Sequence, residues 1–433
     1  MEDILTALRG KAEQAEVYSL EEESTLISFE ANVMKSSRVE QRQGVALRAV
    51  CKGRMGFAAA GGRATKEELI DNLLASAQYG DEVPISFPPA MPGPDVVTYD
   101  PTLAEVPFSR LVEIGREIIA LLLEADPDAK IGVDIERGLT RWSLGNSAGA
   151  QISRQTSNFS VSISVERVRG DDVLLIYDWV SGISLTDAYR EVAQRLGVKM
   201  ELAKRSASLV SGRMPVLFSP VGGLVLALPI MQAVNGKNVQ RGVSPMSDKL
   251  GQVIFDRKIT LWDDPTLPDR PGSGSHDGEG VPCRRKALIQ EGSCSGFLYD
   301  LKTAALMGTE STGNGARSLF SPPQPSPSNL VMEPGDRSLA DILATMRHGL
   351  LVEFALGLGQ GNTISGAFSN TLGLAYVVER GEIVGRVKDV SIAGNIYEHL
   401  REVAAVSQES HWVYGQIKMP YILLPELNVT CKR

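Results

Sequence analysis

The sequence predicts an α+β protein: N-terminal α/β regions followed by a β-rich, glycine-rich C-terminal domain of mainly antiparallel strands. Three observations carry this reading. Alternating and helical apolar periods interleave through the first 212 residues, a dense run of prolines interrupts them, and 25 of the 42 glycines fall after residue 212. A chain of 433 residues also exceeds one ordinary core. Three regions are therefore expected: an N-terminal α+β domain at 1–92, a central α+β domain at 100–210, and a β-rich domain at 213–433.

The first region opens with alternation at Ile27, Phe29 and Ala31, then at Val45, Leu47, Ala49 and Cys51 up to a turn at Lys52-Gly53. Strand resumes at Met55–Ala59. Thr65-Lys-Glu-Glu68 forms a capping box ahead of Leu69, Ile70, Leu73 and Leu74, and Gly80 stands where that helix would end. Seven prolines between Pro84 and Pro107 suit neither a helix nor a central strand, and they mark a connection. Beyond it, Leu111, Ile114, Ile118, Leu121, Leu122 and Ala125 fall at helical spacing. Residues 150–167 alternate through Phe159, Val161, Ile163 and Val165 as a long strand, and Tyr189, Val192 and Leu196 mark another helix.

In the last region, Ser219-Pro220 reads as a helix start, and the stretch Val221–Val234 is apolar nearly all round, so that helix should be buried. Leu372–Val378, Arg380-Gly381 and Ile383–Val387 read as a hairpin, and Phe297–Tyr299 as a strand following a turn. Ser321–Ser328 reads as a proline-rich loop.

Composition narrows the function. A net charge of −8 opposes a sequence-independent grip on nucleic acid phosphates, so no direct nucleic acid partner is expected. The longest apolar run, Val221–Met231, contains Pro229 and is too short to span a bilayer, and no export signal is visible. Cys51, Cys283, Cys294 and Cys431 form no C-x-x-C, which suits a reducing, cytoplasmic setting.

Several motifs invite chemistry. Gly292-Ser-Cys294-Ser-Gly296 imitates a nucleophile elbow, but no helix pattern follows it, so a glycine-bounded turn is expected. Gly357-Leu-Gly359-Gln-Gly361 lacks the spacing and the helix of a phosphate loop and reads as a mobile loop or bulge. None of His276, His348, His399 and His411 precedes a Glu, so no H-E-x-x-H occurs. A zinc site from His276, His348, His411 and Cys431 requires all four to meet in space; scattered surface histidines are the simpler expectation. In Ser311–Arg317, Gly313, Asn314 and Gly315 allow a ligand backbone to approach, and Arg317 offers a fork to a carboxylate or to peptide carbonyls. These four are the peptide-groove candidates. The other reading is a tight turn whose Arg317 is salt-bridged.

The blocks Gly44–Arg48, Gly53–Phe57, Asn146–Gly149, Asp277–Pro282, Ser311–Arg317 and Ser391–Asn395 resemble, in that order, the TldD/PmbA family. The resemblance implies an intracellular zinc peptidase system, with an older name as a modulator of DNA gyrase. In it two related subunits pair and one carries H-E-x-x-x-H. The corresponding stretch here, Val221–Val234, has Gly222, Gly223, Leu224 and Leu228 and no His or Glu. The chain thus resembles the PmbA (TldE-type) subunit, with no catalytic or metal residue of its own. Zinc is expected in a TldD-like paralogous partner, and unfolded peptide is the expected substrate, bound as an added strand in a cleft enclosed with that partner. The rival readings are a non-enzymatic peptide-binding or regulatory homodimer of the gyrase-modulator type, and an independent enzyme with an unorthodox metal site.

Overall fold

A computed structural model describes residues 1–62, 64–170, 172–360 and 362–432. Its first sheet has six antiparallel strands: β1 (Gln14–Glu30), β2 (Val33–Cys51), β3 (Arg54–Gly61), β4 (Lys130–Asn146), β5 (Gln151–Arg169) and β6 (Asp172–Gly182), in the order β3-β2-β1-β4-β5-β6. The division expected between 1–92 and 100–210 thus falls inside one sheet, because β1 pairs with β4 from Glu16↔Asn146 to Phe29↔Val133. The prolines do not end a folding unit. Their segment runs without helix or strand from residue 84 to 100, the extended backbone that proline favours.

Side chains alternate across the pleat, and that parity organises the region. On β1, Val17, Ile27 and Phe29 face helices α1 (Glu2–Leu8), α2 (Lys66–Ala77) and α4 (Phe108–Ala125), the last following the short α3 (Pro101–Glu105), while α5 (Tyr189–Leu202) covers the β5–β6 end. The even positions, Glu16 and Tyr18, point to the opposite face. The capping box is complete, with Thr65 accepting from the Glu68 N–H and Glu68 accepting from the Thr65 N–H. That helix ends at Ala77, not at Gly80. Gly80 serves packing instead, because a Cβ there would strike the backbone of Met55. Lys52-Gly53, with φ of 52° and 72°, makes the expected hairpin turn.

The C-terminal part is an eleven-stranded, mainly antiparallel sheet plus a small hairpin. Its strands are β7 (Gly212–Phe218), β8 (Leu261–Asp263), β9 (Lys286–Gln290), β10 (Ser293–Cys294), β13 (Leu330–Met332), β14 (His348–Ala355), β15 (Ala367–Glu379), β16 (Glu382–Arg386), β17 (Val390–Asn395), β18 (Ala405–Val413) and β19 (Ile417–Cys431). Because β7 pairs with both β14 and β19, the path β19-β17-β15-β14-β7 closes on itself. Helix α6 (Leu224–Ala233) packs against this closed part, with Leu224, Leu226 and Ile230 in one core with Phe218, Val352 and Met419. The helix is buried as expected, but it begins three residues after Val221. Ser219 Oγ accepts the Gly222 N–H in a preceding turn, and a Cβ on Gly222 would collide with the Val352 carbonyl.

A second core joins the two parts, since Leu217, Leu351, Tyr376 and Leu423 pack with Ile135, Ile163 and Leu196. The hairpin at Arg380-Gly381 forms as expected, with φ of 50° and 85°. Two readings are corrected. Phe297–Tyr299 is not a strand, because the short β10 ends at Cys294 and only Leu298 makes a single bridge, to Asn235. Ser321–Pro325 is not a loop but β12, paired with β11 (Gly315–Ser318); prolines are accepted there because a two-stranded ribbon leaves each strand an outer edge.

Candidate functional site

The even face of the first sheet meets the C-terminal part in a buried ionic network. Glu16 and Arg48 are cross-strand partners on β1 and β2, and Arg48 Nη2 donates to Glu16 Oε2 at 2.9 Å. The other nitrogen, Nη1, donates to Glu279 Oε1 at 2.5 Å. Arg317 Nη1 donates to the remaining Glu16 oxygen at 2.5 Å and to the Gly278 carbonyl at 3.2 Å, while its guanidinium lies 4.3 Å from the Tyr18 ring centre. Asp277 accepts from the backbone N–H groups of Glu279, Val281 and Gly315. Burial pushes the carboxyls of Asp277 and Glu279 well above the ordinary carboxylate range; those N–H groups oppose the shift at Asp277, and Arg48 opposes it at Glu279.

Beside this network, Asn314 donates to Asp263 at 2.7 Å and to the Ser326 carbonyl at 3.0 Å, and Lys286 reaches Asp263 at 2.9 Å and Asn314 Oδ1 at 2.8 Å. Asp263 also takes Ser328 N–H and Oγ at 2.6 and 2.7 Å. Three of the six blocks singled out in the sequence, Gly44–Arg48, Asp277–Pro282 and Ser311–Arg317, converge here. Asn146, from a fourth block, sits opposite Glu16 and donates to the Pro88 carbonyl at 2.9 Å.

The four groove candidates are thereby placed. Gly313, Asn314, Gly315 and Arg317 all line a cavity of about 360 Å³ between the first sheet and the C-terminal loops. Gly313 has φ of 73°, which only glycine holds without strain, and Asn314 is buried. Arg317 lies on strand β11, and its side chain, 1% exposed, is the salt-bridged one of the two readings. Sequence reasoning missed its partner Glu16, as well as Tyr18 and Arg154. A charge between Ala15 and Val17 in a strand carries no motif, and only register with Arg48 exposes its role.

The remaining motifs resolve simply. Cys294 follows a turn at Glu291-Gly292 and is fully buried, and burial pushes its thiol up to about 11, away from the reactive thiolate. The Met91 carbonyl accepts from His276 Nε2 at 2.9 Å and Ser275 Oγ lies 3.1 Å from its Nδ1, His348 faces Glu379 at 3.9 Å, and His411 lies against Tyr421. Among the described residues no three His, Cys, Asp or Glu side chains converge as metal ligands. Nor is any described helix long and apolar enough to cross a membrane.

A second cavity, of about 560 Å³, opens beside α6. Its walls include Leu224, Leu228, Pro229, Leu358 and Phe368, and among the described residues that line it none carries an imidazole, thiol or carboxylate. Gly357 and Gly359, with φ of 70° and 79°, turn the chain along its rim, while Gly361 lies outside the described residues. Strand β15 runs past it. Residues Ala367–Thr371 pair with β17 on one side, whereas β14 joins the other side only from Leu372 onward. Among the described residues, the opposite edge of Ala367–Asn370 carries no strand.

The model of the PmbA/TldA metallopeptidase C-terminal domain matches residues 211–431, and that of PmbA/TldA metallopeptidase domain 1 matches residues 15–77. The chain belongs to the PmbA/TldA metallopeptidase family. It superposes on the crystal structure of TldE from Thermococcus kodakarensis with a TM-score of 0.92 at 26% identity, covering 99% of each chain. A Thermotoga maritima protein described as a modulator of a DNA gyrase shares the fold, with a TM-score of 0.89 at 22% identity over 99% of each chain. In sequence, the chain is 27% identical to an uncharacterized Methanocaldococcus jannaschii protein over 90% of both. It is 29% identical to a metalloprotease TldD homolog of Haemophilus influenzae over 55% of this chain and 50% of that one. The match to that metalloprotease thus spans about half its length.

Proposed function

We propose that this member of the PmbA/TldA family is the TldE-type subunit of a two-chain peptidase, without zinc of its own, and that its TldD-like partner cuts unfolded peptides held between them. The observation that carries the reading is helix α6. By the resemblance it stands where H-E-x-x-x-H belongs, yet it presents Leu224, Leu228 and Pro229 to the cleft. Zinc binds through thiolate, imidazole or carboxylate, and this wall supplies none of them. Without a metal-bound water of lowered pKa, peptide hydrolysis lacks its nucleophile in this chain.

What the cleft retains is a binding surface. The unpaired edge of Ala367–Asn370 can accept an extended chain by main-chain hydrogen bonds, and the apolar walls take alternate side chains. Four free thiols accord with a reducing, cytoplasmic setting. The test is reconstitution with a paralogue bearing H-E-x-x-x-H. Hydrolysis of a denatured protein should require both chains and be abolished by a chelator, with zinc bound to the paralogue alone. Stoichiometric zinc in this chain, or turnover by it in isolation, would refute the proposal. Peptide binding by a homodimer with no active pair would instead establish the regulatory reading.

A further inference from the structure

We infer that the cavity of about 360 Å³ at the seam is a second ligand site, one that takes a single carboxylate or similar small anionic group beside Arg154 and Arg317. Arg154 projects from β5 opposite Trp142 of β4. Its guanidinium meets only the carbonyls of Ser273 and His276 and the Thr98 hydroxyl, and no carboxylate among the described residues lies within ion-pairing distance. Arg317 is almost wholly buried, with Nε and Nη2 lacking any partner, and the carboxylate that it holds, Glu16, is shared with Arg48.

The acid lining the cavity does not compensate them. Asp277 already receives three backbone N–H groups, and burial pushes its carboxyl toward the neutral form. Burial likewise lowers the pKa of Arg154, which is the signature of a cation short of a counter-charge. The wall is shaped around these groups: a Cβ on Gly274 would run into the Arg154 guanidinium, and one on Gly278 into the Arg317 side chain. Tyr18 and Trp142 close one flank, while the exposed Ala316 and Gln416 stand at the mouth. A carboxylate entering here gains an ion pair with the guanidinium groups, whereas a neutral amide of the same shape only accepts hydrogen bonds from them.

The ligand is the terminal carboxylate of a peptide or a free small acid, and one titration series separates the two. Binding to the isolated chain is measured by calorimetry at low salt for an N-acetyl dipeptide, its C-terminal amide, acetate and inorganic phosphate. The free acid should bind at least tenfold more tightly than the amide. Ala316→Glu, which sets a tethered carboxylate at the exposed mouth, should abolish that preference, as should Arg154→Met, with Arg154→Lys restoring part of it. Competition by acetate or phosphate at comparable affinity identifies a free acid as the ligand; binding of the dipeptide acid alone identifies a chain terminus. Equal affinity for acid and amide, no binding of any probe, or a preference that survives Ala316→Glu overturns the inference. If Arg154→Met fails to fold, the Ala316 variant still decides. The outcome is independent of the cleft at α6, because strand addition there uses peptide backbone and tolerates an amidated terminus.

Discussion

Arg317 shows how far a residue's role depends on what faces it. In the sequence it follows two glycines and an asparagine and reads either as a fork for a ligand or as a salt-bridged turn residue, and the fold decides for a buried partner of Glu16 stacked on Tyr18. Removing one member of a buried ion pair leaves an uncompensated charge and costs roughly 3–5 kcal/mol. Glu16 keeps Arg48, so Arg317→Ala is expected to lose about 3 kcal/mol in urea unfolding; a loss below about 0.5 kcal/mol would show that the pair contributes nothing. Asp277 and Glu279 set a pH dependence of known sign. Their folded pKa values lie above the unfolded ones, so their contribution is complete below the ordinary carboxylate range, about 4, and is lost as pH rises through the folded values. Stability should therefore rise on acidification from pH 8 to pH 5, and Glu279→Gln should flatten that slope. An unchanged slope in the variant would place the titration elsewhere. At Cys283 and Cys294, burial pushes the thiols up to about 12 and about 11, so native protein should resist thiol reagents at both sites until unfolded, as peptide mapping can show.

At the scale of elements, strand β15 offers the sharpest test. Among the described residues only one edge of Ala367–Asn370 is paired, so an added peptide strand would direct alternate N–H groups toward it. Methylating the nitrogens of one alternate set should weaken capture by roughly threefold to tenfold per lost hydrogen bond, while methylating the other set should change little. Equal effects from both sets would exclude strand addition. The element readings that succeeded share one property: their signals are local. The capping box at Thr65–Glu68, the helical period from Leu111 to Ala125 and the paired left-handed residues at Lys52-Gly53 and Arg380-Gly381 need no distant partner. Those that failed depended on one. Ser321–Pro325 is a strand because β11 lies beside it, and α6 starts late because Gly222 must pass close to Val352.

For the whole molecule, the continuous core and the Glu16–Arg48–Glu279–Arg317 network tie the first sheet to the C-terminal part. Unfolding should accordingly be one transition, with fluorescence of Trp142 and Trp179 in the sheet coinciding with that of Trp262 and Trp412 beyond it. Two separated transitions would mean that the seam is weaker than its burial implies. Taken alone, the sequence determined the α+β class, the longer helices α2, α4, α5 and α6, the two hairpin turns at Lys52-Gly53 and Arg380-Gly381, the family resemblance, and the absence of His and Glu from Val221–Val234. These are properties of composition and short-range period, which a chain carries before it folds. Only the tertiary structure decided that the segments on either side of the prolines share one sheet, and that Glu16 meets Arg48 on the neighbouring strand and Arg317 across 301 residues of chain. Register and closure bring such residues together, and no local pattern encodes which even-numbered side chain on one strand will face which loop.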